Sequence, residues 1–347
     1  MTRAVLVAGA GGVGKTTVAA ALGVTAARAG VRTLVLTVDP ARRLADALGL
    51  EHLGNDPTPT PGEGHLAAAM LDASASWEAI IRRHADPDTV DRLVASRFFR
   101  AVADRFPAGQ AYAASEEMAG HLESDEFDLV VVDTPPSAGG IDFFAAPGRM
   151  RTLVGGRILT WLTGPRIPGR RAIYSLTARP VLKVADTILG GPLLEDVAEF
   201  LLDLRTAYDG ISRRAKQVER HLAGATTVLV TTADPTPVRE AIRFFRELPD
   251  TASEPRTVVF NRALPLTWRA DHDAVPGPPA AAEALESNLR RWAADAQRQA
   301  DVRGEFTERY GVVPAVVPWL TASPTDLDRL AALVEATEGA DLADLVA

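Results

Sequence analysis

Six short runs of nearly unbroken apolar residues punctuate the chain: RAVLVA at 3–8, VRTLVLTVD at 31–39, FDLVVVD at 127–133, TTVLVTT at 226–232, RTVVFN at 256–261 and VVPAVV at 312–317. They do not alternate apolar with polar. A strand of this kind is covered on both faces, as in a parallel sheet packed between helices. HLAAAMLD at 65–72 is a weaker strand of the same type. Residues 16–29 form an alanine-rich stretch that stops at Gly30, the mark of a helix with a C-terminal glycine. Strand, glycine-rich loop, helix and strand make a βαβ unit, which implies a parallel pair joined by a right-handed crossover.

The intervals between these runs are helical. Residues 77–122 and 149–221 are two helical tracts; in the second, Leu193, Val197, Phe200, Leu201, Leu204, Tyr208 and Ile211 recur at helical spacing. Leu285, Leu289, Trp292, Val302 and Phe306 mark a long helix near the end. Such stripes face a core as a rule. The expected organisation is one α/β domain over 1–347, a mostly parallel sheet with helices on both faces, and a helical subdomain from insertions at about 73–122 and 145–222. GNDPTPTPGEG at 54–64 and VPGPP at 275–279 are loops, and no internal repeat is present.

Composition narrows the chemistry. The 347 residues, 47% apolar and 24% charged, allow a large core in an ordinary globular protein. With no cysteine, disulfides, thiolate metal sites and cysteine nucleophiles are excluded. The six histidines have no metal-ligand spacing, and Asp271, His272 and Asp273 read as a solvated loop. Met1, Thr2 and Arg3 run straight into a strand and no stretch has membrane-spanning length, so a cytoplasmic protein is expected, with peripheral membrane contact left open. A net charge of −8 argues against nucleic acid as a partner. No acidic residue lies between Asp142 and Asp186, while eight basic ones fall within 149–183: a solvated face, or a surface for an anionic partner or membrane. The chain has 34 arginines and three lysines, and Lys15 is one of the three.

That lysine sits in GAGGVGKTT at 9–17, a phosphate-binding loop of the form Gly9-x4-Gly14-Lys15-Thr16 placed after a strand and opening a helix. Gly9, Gly11, Gly12, Val13 and Gly14 let the backbone curl so that amides converge on a phosphate, and Thr16 and Thr17 begin the helix whose positive end adds to them. Lys15 is a compact cation for the β and γ phosphates of a nucleotide, and the Thr16 hydroxyl is placed to ligate Mg²⁺. Asp39, at the end of the second strand, is a candidate to orient or deprotonate an attacking water, against a plain turn at Asp39-Pro40. Asp133 ends the third run, where it would hold Mg²⁺ through water; Pro135 and Pro136, followed by Gly139 and Gly140, make a stiff piece between hinges, a candidate switch.

GAGGVGKTT, TVDPARRLADALGL, VVVDTPPSAGGIDFF and VVFN, in this order, resemble the arsenical pump-driving (ArsA) ATPase family, which includes the ATPases that target tail-anchored membrane proteins. The resemblance implies ATP and Mg²⁺ as ligands, Asp39 as the hydrolytic aspartate and Asp133 in a second switch. It implies that Asn261 contacts adenine, with Pro318 and its neighbours closing over the base. It further implies a dimer that opens and closes with the nucleotide, coupled to membrane transport or membrane-protein targeting. Three features depart from the family. Ala10 stands where such loops carry a signature lysine that reaches the partner's phosphates, there is no CxxC to bind zinc, and there is no cysteine trio for arsenite. A homodimer is one option; a heterodimer whose partner supplies the lysine is the favoured reading. Alternatively Arg42 or Arg43 stands in for the lysine, or the chain is a regulatory clamp with weak hydrolysis. A client-binding chaperone and a partitioning ATPase are rival roles, and the acidic EGADLADLVA terminus weighs against a membrane-targeting helix.

Overall fold

The computed structural model describes residues 2–39, 42–105, 107–135, 140–155, 191–249, 252–269 and 279–347. The loop at 275–278, the Asp271–Asp273 triplet, the 136–139 part of the candidate switch and most of the basic tract at 149–183 therefore lie outside the described residues. The described chain divides into two compact units, 1–71 with 118–144 and 221–347, and 72–117 with 145–220.

The first unit is built on a nine-stranded sheet among the described residues, in the order β3-β4-β2-β5-β1-β6-β7-β8-β9. The strands are β1 (Arg3–Gly9), β2 (Thr33–Thr37), β3 (Thr58–Pro59), β4 (Leu66–Met70), β5 (Leu129–Asp133), β6 (Thr226–Thr231), β7 (Pro255–Ala263), β8 (Pro314–Pro318) and β9 (Glu338–Gly339). All pairings from β4 through β8 are parallel; the two-residue edge strands β3 and β9 run antiparallel. The apolar runs thus form the centre of a mostly parallel α/β sheet, as their continuity predicts. The edge strands, each two residues long, carry no such signal.

Successive strand residues face opposite sides. Val259 belongs to one core with helix α1 (Lys15–Arg28), whereas Phe260 meets Phe306 of the opposite side at 5.6 Å between ring centroids. Helices therefore cover both faces. The alanines of α1 let it lie close to the sheet, with α2 (Arg43–Leu48) beside it.

Helices α3 (Ala73–His84), α4 (Pro87–Ala95) and α5 (Arg97–Arg105), with parts of α6 (Pro107–Glu123) and α7 (Ile141–Gly155), open the second unit. It continues with α8 (Gly191–Leu204) and most of α9 (Tyr208–Gly224). Asp72 caps α3, accepting from the amides of Ser74 and Ala75. Trp77, Ile81, Tyr112 and Ile211 form its core. Glu116, buried, takes Arg214 Nε at 2.7 Å and Arg83 Nη1 at 2.9 Å.

The remaining helices return to the sheet unit: α10 (Pro235–Glu247), α11 (Pro279–Tyr310) and α12 (Leu327–Glu335). α11 corrects one expectation. Phe306 is buried, but Leu285 is 47% and Trp292 45% exposed, so the stripe is core only at its C-terminal end. At 1.5 Å per residue a helix of this length extends about 48 Å, more than the sheet it packs against can cover.

Candidate functional site

At the carboxyl ends of the parallel strands lies a cavity of about 350 Å³, where open α/β sheets gather ligands. The chain following β1 enters it first. Gly14 is the N-cap of α1, with φ 99° and ψ 23°, and no side chain caps the helix. The first-turn amides are thus left for a ligand. Lys15 is buried, and its Nζ donates to the carbonyl of Ala10 at 2.8 Å, curling the ammonium over its own loop. Burial lowers the Lys15 pKa; the carboxylates of Asp133 and Asp39 oppose that shift, and the like charge of Arg43 adds to it.

Asp133 closes β5 beside Thr37 of β2 and Val7 of β1. Its Oδ2 accepts from Thr16 Oγ1 at 2.6 Å and from Thr37 Oγ1 at 3.0 Å. Its Oδ1 is buried and has no hydrogen-bond partner among the described residues. Burial pushes this carboxyl up, while the two hydroxyls and Lys15 pull it down. A buried oxygen left over, next to a threonine hydroxyl, suits a hard divalent cation. Among the described residues there is no cluster of three or more His, Cys, Asp or Glu that could hold a metal. Such an ion would therefore draw its remaining ligands from phosphate oxygens and water, the habit of Mg²⁺.

Asp39 and Arg43 line the other side of the cavity, Arg43 Nη1 lying 3.2 Å from Asp39 Oδ2. Thr37 ties the two acidic positions together, since its Oγ1 accepts from the Asp39 amide at 3.2 Å while donating to Asp133. Arg42 goes elsewhere: its Nη2 donates to the Glu51 carbonyl at 2.6 Å. Across the cavity stand Arg262, Pro324 and Thr325.

The structure thus brings Gly12, Gly14, Lys15, Thr16, Thr17, Asp39 and Asp133 to one cavity. The other candidates lie outside its lining. Gly9 ends β1, Gly11 is exposed, and Val13 is buried in the core. Asn261 turns inward, donating from Nδ2 to the Val13 carbonyl at 2.8 Å and accepting at Oδ1 from the Arg262 amide. Pro318 ends β8 opposite Ala263. Thr37, Thr134, Arg262, Pro324 and Thr325 were not singled out from the sequence. Thr37, two residues before Asp39, Thr134, next to Asp133, and Arg262, next to Asn261, stand close enough to chosen residues to be found that way; Pro324 and Thr325 do not.

Comparison with known proteins follows the same lines. The profile of the family described as anion-transporting ATPase matches residues 2–274. An uncharacterized protein of Streptomyces coelicolor, SCO2128, is 33% identical over 241 residues, 66% of this chain and 58% of that protein. A protein of Halobacterium salinarum named as a candidate arsenical pump-driving ATPase is 32% identical over 155 residues, 42% of this chain and 24% of its own length. ATPase GET3 of Mycosarcoma maydis is 25% identical over 263 residues, 74% of this chain and 71% of that protein. The matches thus span 58% and 24% of the lengths of the first two relatives.

Proposed function

This chain belongs to the anion-transporting ATPase family, and from that premise we propose that it binds Mg·ATP in the cavity at the ends of β1, β2 and β5 and hydrolyses it. The observation that carries this reading is a convergence. An uncapped helix N-terminus, a buried ammonium, and a threonine–carboxylate pair with a spare buried oxygen meet on one cavity.

The backbone following Gly11 and the Lys15 ammonium hold the phosphate oxygens. Thr16 and Asp133 would hold magnesium, Asp133 through water, and magnesium when bound neutralises charge on the β and γ oxygens. Asp39 orients the attacking water. As the oxygen of that water bonds to the γ phosphorus, the bond to the bridging oxygen of ADP breaks; Asp39 takes the proton, which leaves with inorganic phosphate. Because Asn261 already anchors the Val13 carbonyl, it ties β7 to the phosphate loop, and adenine contact would be its second task.

The output we propose is movement: two subunits that open and close with the nucleotide, coupled to membrane transport or membrane-protein targeting. The family's description as anion-transporting supports a membrane-linked role. The partner is a second copy or a relative that carries a lysine at the position of Ala10. A cytoplasmic protein working at a membrane surface fits the lack, among the described residues, of any helix long and apolar enough to cross one. The test is direct. Purified protein should take up ATP in a Mg²⁺-dependent manner, Lys15→Ala should abolish it, and light scattering should separate the ATP and ADP states. No uptake of Mg·ATP by the wild-type protein refutes the reading.

One observation favours an added client-binding role. The helical unit holds an almost wholly apolar cavity of about 220 Å³ lined by Trp77, Phe99, Met150, Leu153 and Phe200. Binding of an apolar helical peptide, lost on Leu153→Glu, supports that role; no binding rules it out.

A further inference from the structure

Resting on the reading of this cavity as an ATP site, we propose that Arg43 is a further catalytic residue. It leaves Asp39 when a nucleoside triphosphate binds and moves to the terminal phosphate. The move breaks the Arg43–Asp39 ion pair, so that the carboxylate can turn to the water it activates, and it supplies in cis a second cation beside Lys15.

Four observations carry the inference. Arg43 lines the same cavity as Lys15, Thr16 and Asp133. Its ion pair with Asp39 measures 3.2 Å with Arg43 65% exposed, a kind of pair that contributes little and breaks easily. A terminal phosphate offers a guanidinium two charge-assisted hydrogen bonds instead of one, so the exchange runs downhill.

The other two observations concern the neighbours. Position 10 contributes only a buried methyl group, which leaves Lys15 as the one cationic side chain of the loop. Arg42, adjacent in sequence, is tied to the Glu51 carbonyl and does not line the cavity. Of the two arginines, the fold therefore presents only Arg43. While Asp39 Oδ2 accepts from Arg43, a cation offsets the negative charge of the carboxylate that is to activate water. The pair is a resting state, which a triphosphate undoes and a diphosphate does not.

The experiment compares wild type, Arg43→Ala, Arg43→Lys and Arg42→Ala, with Arg43→Gln in reserve should alanine unfold. Unfolding midpoints, ATP and ADP dissociation constants and kcat are measured on each. Arg43→Ala should keep its midpoint and lose about 10–100-fold more affinity for ATP than for ADP, as expected for charge-assisted bonds to the terminal phosphate. Its kcat should fall about 10²-fold or more. Lysine should restore part of both, and Arg42→Ala should match wild type throughout. An unchanged ATP-to-ADP affinity ratio in Arg43→Ala, or a kcat equal to or above wild type, overturns the inference alone. Wild-type protein that binds no ATP overturns the underlying reading and the inference with it. The affinity ratio decides the matter even where turnover needs a second chain.

Discussion

The contact between Asn261 and the phosphate loop makes a quantitative test of how this site is held. Gly14 has φ +99°, and a Cβ built on it would lie 2.2 Å from Asn261 Nδ2. Gly14→Ala therefore incurs two costs. A residue with a Cβ in the left-handed region loses about 1–2 kcal/mol. Displacing Asn261 breaks its 2.8 Å bond and leaves the Val13 carbonyl buried without a partner, a further cost of about 1–3 kcal/mol. The sum is about 2–5 kcal/mol. Gly12 is the internal control: its φ is +77°, but a Cβ there meets nothing within 4 Å. Gly12→Ala should cost only the backbone part. Urea unfolding, followed through Trp292 and Trp319 of the sheet unit, measures both variants. In an Asn261→Ala background the excess of Gly14→Ala over Gly12→Ala should vanish, because the clash and the bond are already gone. If the excess is absent in the wild-type background, or survives the removal of Asn261, the clamp is not what constrains Gly14.

Four other outcomes are expected. Asp39→Asn should retain ATP affinity and lose about 10²–10⁴-fold in hydrolysis, the usual worth of a general base; unchanged turnover would remove Asp39 from the chemistry. Burial lowers the Lys15 pKa, and only its charged form attracts phosphate, so ATP affinity follows the protonation of this ammonium. It should decline on the alkaline side before the ordinary 10.5 is reached, as a titration of dissociation constants would detect. The Asp133 carboxyl is held above its ordinary 3.8 by burial, so the folded state binds the extra proton and nucleotide-free protein loses stability as pH rises through that range. In Asp133→Asn that loss is gone, and its unfolding free energy relative to wild type should grow with pH over the same window. In the helical unit, Glu116→Ala removes the carboxylate that balances the buried guanidinium of Arg214 and should cost about 3–5 kcal/mol in denaturant unfolding.

Local order is what this sequence determined by itself. Unbroken apolar runs named the central strands, because a strand buried on both faces needs no polar positions, and glycine spacing named the phosphate loop ahead of α1. The helical stripes were less informative: periodicity reports an amphipathic face but not how far the opposing surface extends, hence the exposed Leu285 and Trp292. Tertiary structure decided which distant residues meet. Placing β5 between β1 and β2 sets Thr37 beside Asp133, 96 residues away, and makes one hydroxyl serve two carboxyl positions. Packing β7 near the loop brings Asn261 to Val13 across 248 residues. The start of α2 sends Arg43 into the cavity and Arg42 out to Glu51, a distinction that two adjacent arginines cannot announce. Periodicity is a property of neighbours along the chain, whereas the direction of a side chain at a strand end or helix start follows from strand order and register, which only the assembled sheet defines.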